Sequence, residues 1–286
     1  MRFDHAVILV PDLGRAVVAF EELGFRVAPG GVHDGGATHN ALIALADGSY
    51  MELLAFTGRL VSRALPMLES VGLGRLLTGS GGRDPMAERF RARAPRRSGL
   101  IDFALLPTSM DADLTRARRE GVRIRGPIEG GRLRPGYAPI AWELGLPEAP
   151  ELPFFCSDLT DRSERVPSGE VTQHANGVTG IRAVTVAVEK LEPSSARYRA
   201  MLGVEPEPAA LGGTGVARGR IFRIEGVEVT VATTEDPTHA MWRHLRERGE
   251  GPFELTLTVE APSRTGVAEV CGARLNLILD RPRSLA

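Results

Sequence analysis

The sequence predicts an α+β fold, in which repeated β-α-β-β-β modules pair into cupped mixed sheets with the helices outside. Two observations support this prediction. The same order of elements recurs along the 286 residues, and a fixed order at wide spacing indicates an internal repeat. The strands that open the four copies also align by eye, as FDHAVILV, IDFALLPT, IRAVTVAV and FELTLTVE.

The first module shows every element of the repeat. Asp12 is suited to cap the helix, and Gly24 to end it. An Asp-Gly dipeptide between alternating apolar runs is typical of a hairpin turn. The predicted elements are a strand at 3–10, a helix at 14–23, a short strand at 25–27 before a glycine-rich loop, and strands at 38–45 and 49–56.

Three later copies repeat this order with decreasing completeness. The second has a strand at 100–107, a helix at 111–121, a short strand at 122–127 and a closing pair at 140–146 and 152–159. The third has a strand at 180–188, a helix at 193–202 and a hairpin over 217–234. The fourth has a strand at 252–259, a short helix near 265–272 and a last strand at 273–279.

These copies divide the chain into a first domain over 1–165 and a degenerate second domain over 178–286. A helical insertion near 57–97 interrupts the first domain, with a helix predicted at 59–77. The arginine-rich run at 89–97 is interpreted as a solvated connector, although a nucleic-acid or phosphate patch is the alternative.

Composition favours a soluble cytoplasmic protein. Apolar residues make up 43% and charged residues 25%, and the net charge of −1 offers no global attraction to nucleic acid or to an anionic membrane. Two cysteines far apart indicate a reducing compartment, and no signal peptide or spanning segment is evident. The common nucleotide, hydrolase and zinc-protease motifs are absent.

Five short motifs carry a resemblance to a known family. They are His5–Leu13 (HAVILVPDL), Thr38–Ile43 (THNALI), Tyr50–Phe56 (YMELLAF), Leu152–Phe155 (LPFF) and His174–Gly177 (HANG). In this order they resemble bacterial proteins with a glyoxalase-like domain, within the vicinal oxygen chelate superfamily of glyoxalases, extradiol dioxygenases and bleomycin-resistance proteins. The resemblance is good over residues 1–190 and weaker beyond.

The resemblance implies a metal site inside an open barrel, with ligands from the first and fourth strands of each module. His5 and Glu52 occupy these positions in the first module. An imidazole and a carboxylate suit Zn, Fe, Mn, Ni or Co. Strand alternation places Tyr50, Glu52 and Leu54 on one face. Alternatively, His5 is a hydrogen-bonded core histidine and Glu52 a structural partner of an arginine.

The second module departs from this ligand pattern. Phe103 matches His5, and the counterpart of Glu52 falls near Phe155 or Cys156. Further ligands would therefore have to come from His39 or His174, each of which has a structural interpretation as well.

Five residues are candidates for contact with a small molecule. Arg134 lies in an arginine-containing loop suited to bind a carboxylate or phosphate, unless that loop is simply exposed. The remaining candidates are aromatic wall residues: Phe103, Trp142, Phe154 and Phe155.

Three functions remain open from the sequence. The first is a metal-dependent lyase, isomerase or dioxygenase that acts on a small oxygenated substrate, with His5 and Glu52 as ligands or as an acid–base pair. The second is a binding protein of the bleomycin-resistance type. The third is a scaffold or a homodimer with a vestigial site.

Overall fold

The computed structural model describes residues 1–57, 84–93, 98–133, 138–211, 217–261 and 265–280. The first half contains strands β1 (Arg2–Leu9), β2 (Ala28–His33), β3 (Thr38–Ala44), β4 (Tyr50–Phe56), β5 (Gly99–Leu106), β6 (Ile124–Leu133), β7 (Ile140–Pro147) and β8 (Phe154–Asp158). Its helices are α1 (Leu13–Glu22), α2 (Pro85–Arg93) and α3 (Met110–Arg119).

A short connection leads to the second half. It contains helix α4 (Arg162–Arg165) and a 3₁₀ turn (Gly169–Thr172). The second half then comprises β9 (Val178–Ala187), α5 (Leu191–Leu202), β10 (Glu207–Leu211), β11 (Ala217–Ile224), β12 (Val227–Thr234), α6 (Ala240–Arg248), β13 (Gly251–Val259), β14 (Gly266–Val270) and β15 (Ala273–Leu279).

The first eight strands close into a barrel, in the order β1-β4-β3-β2-β6-β7-β8-β5. The remaining seven form an open sheet, in the order β10-β11-β12-β9-β13-β15-β14. In both sheets the first and last strands of a module pair in parallel, and neighbouring modules meet through an antiparallel pair. The predicted α+β fold of repeated modules is therefore confirmed.

Two predicted elements were wrong. The short strand at 25–27 is not a strand; β2 instead lies in the adjacent glycine-rich stretch, where His33 pairs with Arg132 of β6. The helix near 265–272 is the strand β14. It joins β15 through Cys271 and Gly272, whose φ angles of 49° and 77° are those of a tight hairpin turn.

The arginine-rich run at 89–97 also differs from its interpretation as a solvated connector. Residues 89–93 belong to α2, and the Arg89 side chain is buried against Asp102. The helix predicted at 59–77 lies outside the described residues, as does 94–97. No helix in the described ranges is long and apolar enough to span a membrane.

Alternating side chains separate the barrel interior from the core outside it. Val7 and Leu9 belong to an apolar cluster with Leu54, whereas Ile8 and Leu53 belong to a larger cluster that includes residues of both sheets. This alternation directs His5 and Glu52 to the interior, where they line a cavity.

Candidate active site

The barrel encloses a cavity of 340 Å³. This is near the lower end of the range for small-molecule pockets, about 300–1,000 Å³. Polar and apolar side chains share its wall. The polar ones include His5, His33, Asn40, Tyr50, Glu52, Arg132 and Arg165, and the apolar ones include Met86, Phe90, Ile128, Trp142, Leu144 and Phe154.

Glu52 is a buried carboxylate with a nitrogen-bearing partner at each oxygen. The Asn40 amide donates to Oε1 at 2.5 Å, and Nε2 of His33 lies 3.4 Å from the same oxygen. Nε2 of His5 lies 3.6 Å from Oε2. Burial by itself raises the pKa of Glu52, but His33, His5 and Asn40 outweigh it and lower the pKa to about 2. Glu52 is therefore ionised at neutral pH.

His5 is oriented by a buried ion pair. Its Nδ1 lies 2.7 Å from Oδ2 of Asp4. Arg165 donates to both oxygens of Asp4, from Nη1 at 2.9 Å and from Nη2 at 3.1 Å. Burial raises the pKa of Asp4, but Arg165 and His5 hold it well below its usual range. The ionised Asp4 accepts the Nδ1 proton, which leaves Nε2 of His5 directed at Glu52.

Asn40 reaches Glu52 because β2 passes very close to β3. The Asn40 Oδ1 accepts a hydrogen bond from the backbone N–H of Gly31 at 3.0 Å, so its amide group points to Glu52. A Cβ on Gly30 would lie 2.0 Å from that Oδ1. Only glycine therefore permits this approach.

Four of the residues predicted from the sequence line the cavity: His5, Glu52, Trp142 and Phe154. The three rings among them also contact other rings of the site. His5 stacks on Tyr50 with centroids 4.5 Å apart and meets Phe154 edge-on at 5.4 Å. The edge of His33 meets Trp142 at 5.9 Å.

Phe103 and Phe155, predicted as pocket wall, face the core outside the barrel instead. Phe103 stacks on Phe3 with centroids 5.7 Å apart, and both predicted residues belong to the cluster shared by the two sheets. The physical reason is the two-residue period of a strand, which sends the neighbours of Ala104 and Phe154 to the opposite face.

The two histidines proposed to complete a ligand set lie away from the cavity wall. His39 sits on β3 beside Asn40 and is directed to the opposite face. His174 accepts a hydrogen bond from the backbone N–H of Arg26 at 3.0 Å and bonds the carbonyl of Ala44 at 3.0 Å, which is a structural role. Arg134 lies outside the described residues.

Sequence reasoning missed His33, Asn40 and Arg165 as site residues. His33 lies in the stretch predicted as a glycine-rich loop, and only the pairing of β2 with β6 carries it into the cavity. Strand alternation along THNALI places the polar residues Thr38 and Asn40 on one face of β3, and this pattern could have identified Asn40 as a site residue. Nothing in the local sequence around Arg165 indicates that it reaches Asp4, which is 161 positions away.

The second module lacks polar counterparts of His5 and Glu52. His5 of β1 pairs with Ala104 of β5, which marks Ala104 as its counterpart. In the first module His5 pairs with Tyr50, and in the second module Ala104 pairs with Phe154. Cys156, two residues after Phe154, therefore corresponds to Glu52. A bulge between Phe3 and His5 explains why the linear alignment chose Phe103.

The donor set does not fit a resident metal ion. Ala104 offers no ligand atom, and the described residues contain no group of three His, Cys, Asp or Glu side chains placed to hold a metal. The two imidazoles face different oxygens of Glu52, and an amide N–H is directed at one of them. These contacts are those of a buried cluster of ionisable side chains around one carboxylate.

The family model of the glyoxalase-like domain matches residues 3–202. The chain belongs to this family. The match runs from β1 to the end of α5, so it includes the barrel and the start of the second half. It confirms the family recognised from the five motifs. No curated protein matches this glyoxalase-like chain in sequence.

Solved structures share the fold of this glyoxalase-like protein at low identity. A hypothetical protein from Staphylococcus aureus is 15% identical, with a TM-score of 0.69, over 97% of this chain and 98% of the other. A variant of 4-hydroxymandelate synthase from Streptomyces coelicolor is 14% identical, with a TM-score of 0.52, over 95% and 78%. A xylose isomerase-like TIM barrel/4-hydroxyphenylpyruvate dioxygenase fusion protein is 14% identical, with a TM-score of 0.53, over 92% and 37%.

Proposed function

We propose that the protein is an enzyme that moves a proton between two atoms of a small oxygenated organic substrate, without a resident metal. One observation carries this proposal. An ionised, 5% exposed Glu52 lies between the Nε2 atoms of His5 and His33, inside a cavity whose wall is partly apolar. A buried charge with perturbed pKa and two titratable neighbours is typical of an acid–base site.

His5 is the proposed base. The ionised Asp4 keeps the Nδ1 proton in place, so Nε2 carries the lone pair that takes a proton from the substrate. The imidazolium that forms lies between two carboxylates, Asp4 and Glu52, which stabilise it. Returning the proton to a different substrate atom completes an isomerisation with no net change in oxidation state.

Arg132 is the proposed partner of the substrate oxygen. Its guanidinium lines the same cavity, and its Nη1 lies 3.4 Å from Oδ1 of Asn40. Removal of a proton next to a carbonyl places negative charge on the carbonyl oxygen. A guanidinium in a site of low dielectric constant stabilises that charge strongly.

Proton transfer can be tested before the substrate is known. The protein is incubated in D₂O with a panel of small hydroxy and oxo compounds, and deuterium uptake is followed by mass spectrometry. We expect exchange in at least one compound, and its loss in His5→Gln and Glu52→Gln. His39→Gln is the matched control, because His39 faces away from the cavity, and it should leave the exchange rate unchanged.

Metal content tests the competing interpretation that the resemblance implies. We expect far less than one equivalent of Zn, Fe, Mn, Ni or Co in the purified protein by inductively coupled plasma mass spectrometry. About one equivalent of one metal, lost in a His5→Ala/Glu52→Ala double variant, would refute the metal-free proposal. It would support a metal-dependent lyase, isomerase or dioxygenase instead.

A binding protein is the second candidate, and the missing half of the site favours it. Ala104 and Cys156 stand where the first module has His5 and Glu52, so only one side of the cavity carries that pair. Compounds that bind in the cavity but never exchange would support sequestration without turnover. A vestigial scaffold would neither bind nor exchange.

Four further expectations stay as proposals. The proposed division into domains 1–165 and 178–286 is supported by the two separate sheets, the barrel of β1–β8 and the open sheet of β9–β15. Its test is whether the two unfold separately. Both described cysteines are free, which supports a reducing compartment such as the cytoplasm. The proposed partner is a small molecule, with a homodimer as the proposed assembly.

A further inference from the structure

We propose that α2 builds an apolar subsite in the cavity, and that the substrate therefore carries one apolar ring or a short branched chain beside its oxygen-bearing group. This inference rests on the proposed function, because it describes the substrate of the same cavity. It concerns the part of the substrate that does not contact the acid–base cluster.

The subsite begins directly behind the acid–base cluster. Phe154 contacts His5 edge-on at 5.4 Å, and Phe90 of α2 contacts Phe154 edge-on at 6.5 Å. Met86 of α2 packs against the same apolar cluster, and Leu144 belongs to it. All of these side chains line the cavity. A ligand held at His5 therefore has apolar surface along its other end, where burying hydrocarbon is favourable.

A buried ion pair holds α2 in this position. Arg89 is 8% exposed and Asp102, on β5, is 2% exposed. The Arg89 Nε donates to Oδ2 of Asp102 at 2.7 Å, and its Nη2 donates to Oδ1 at 3.1 Å. The same guanidinium donates to the carbonyls of Pro147 at 2.7 Å and Leu152 at 2.6 Å. Four hydrogen bonds to three strands or loops leave the helix little freedom to move.

Arg89 is therefore a positioning residue, and Phe90 and Met86 are the residues that contact the ligand. The face of α2 that carries Arg89 is anchored to the barrel wall, and the neighbouring residues reach the cavity. The cavity is small, which favours a single ring over an extended polycyclic ligand.

The test uses 4-methylphenol as the apolar probe and erythritol as the polar probe, with the full chain labelled at its methionine methyl groups. We expect 4-methylphenol to shift the Met86 methyl resonance in a saturable way. Met51, Met110, Met201 and Met241 do not line the cavity, and their resonances should stay in place. Erythritol should shift none of them.

Substitutions separate the subsite from general stability. Phe90→Ala should weaken 4-methylphenol binding about tenfold, which corresponds to the loss of one buried ring face. Phe90→Leu, a milder change that keeps an apolar wall, should weaken it less. Phe103→Leu is the matched control, because Phe103 is buried on the outer face of the barrel. It should leave the affinity unchanged.

The anchor is tested in the same way. Arg89→Lys cannot make the same set of hydrogen bonds, so the probe should bind about tenfold more weakly, as measured by the concentration that half-saturates the Met86 shift. Arg118→Lys is its control, because Arg118 donates to the carbonyls of Ile124 and Gly126 and does not line the cavity.

The outcomes distinguish this inference from the proposed function. If the wild-type protein binds 4-methylphenol at Met86 but exchanges no proton in any compound, the proposed function is refuted and the subsite is supported. Proton exchange without a Met86 shift, or with Phe90→Ala and Phe103→Leu equal in affinity, overturns the subsite and leaves the function intact.

Discussion

The buried pair of Asp4 and Arg165 should be among the most sensitive electrostatic contacts of the barrel. The exposed fraction is 0% for Asp4 and 3% for Arg165, and the guanidinium reaches both carboxylate oxygens, at 2.9 and 3.1 Å. Arg165 also pairs with Asp158, and Asp4 also pairs with Arg162, so removing one partner leaves the other charge buried with part of its network lost. The cost in the free energy of unfolding is up to about 3–5 kcal/mol. Asp4→Asn and Arg165→Met should each show a loss of this size.

The double variant, Asp4→Asn/Arg165→Met, decides whether the contact between these two side chains causes the loss of stability. When both charges are removed, neither is left buried, and their other partners, Arg162 and Asp158, still pair with each other at 3.2 Å. The loss should therefore be close to that of one single variant, a coupling energy of about 3 kcal/mol. Urea unfolding followed by circular dichroism measures all four proteins. Glu205→Gln is the control, because its exposed ion pair with Arg199 should contribute less than about 1 kcal/mol. Losses that add to within about 0.5 kcal/mol would refute the reasoning.

Three further predictions concern single groups. His33→Ala should raise the pKa of Glu52 from about 2 towards its ordinary value of 4.5, because His33 is the main partner that offsets the effect of burial on this pKa. Carbon NMR of the Glu52 carboxyl group measures the pKa. An unchanged value would show that His33 does not stabilise the ionised carboxylate. Burial lowers the pKa of His174 below its ordinary value of 6.5, so on acidification the unfolded chain binds the proton before the folded chain does. The free energy of unfolding should therefore fall as the pH drops below about 6.5. Thermal unfolding between about pH 7.5 and 5 measures this loss, which should be smaller in His174→Gln. Burial raises the pKa of the Cys156 thiol, so a thiol reagent should leave Cys156 unmodified in the native protein and label it in urea; fast native labelling of Cys156 would show that the barrel opens.

The repeated modules could be read from the sequence because each strand is a continuous apolar run and each turn has its own local signal. Where those signals are weak, the prediction was wrong. The glycines of 28–33 are typical of a loop, but pairing with β3 and β6 makes that stretch a strand. At Cys271 and Gly272, a two-residue turn outweighed the short helical pattern of 265–272.

The candidate site shows the same limit. His5 and Glu52 were identified because a polar residue in an apolar strand is costly to bury without a partner, and strand alternation places it on a known face. The face of Phe103 was misjudged because a bulge at Asp4 shifts the register by one residue, and a one-residue slip reverses the side that a side chain takes.

The sequence alone determined the repeat of modules, the α+β class and the two polar groups of β1 and β4, since each depends on neighbouring residues. Only the tertiary structure decided what surrounds those groups. His33, Asn40, Arg132 and Arg165 reach the cavity through closure of the barrel, and α2 reaches it through a buried ion pair. Contacts between residues distant along the chain depend on register and burial, which no local pattern of residues encodes.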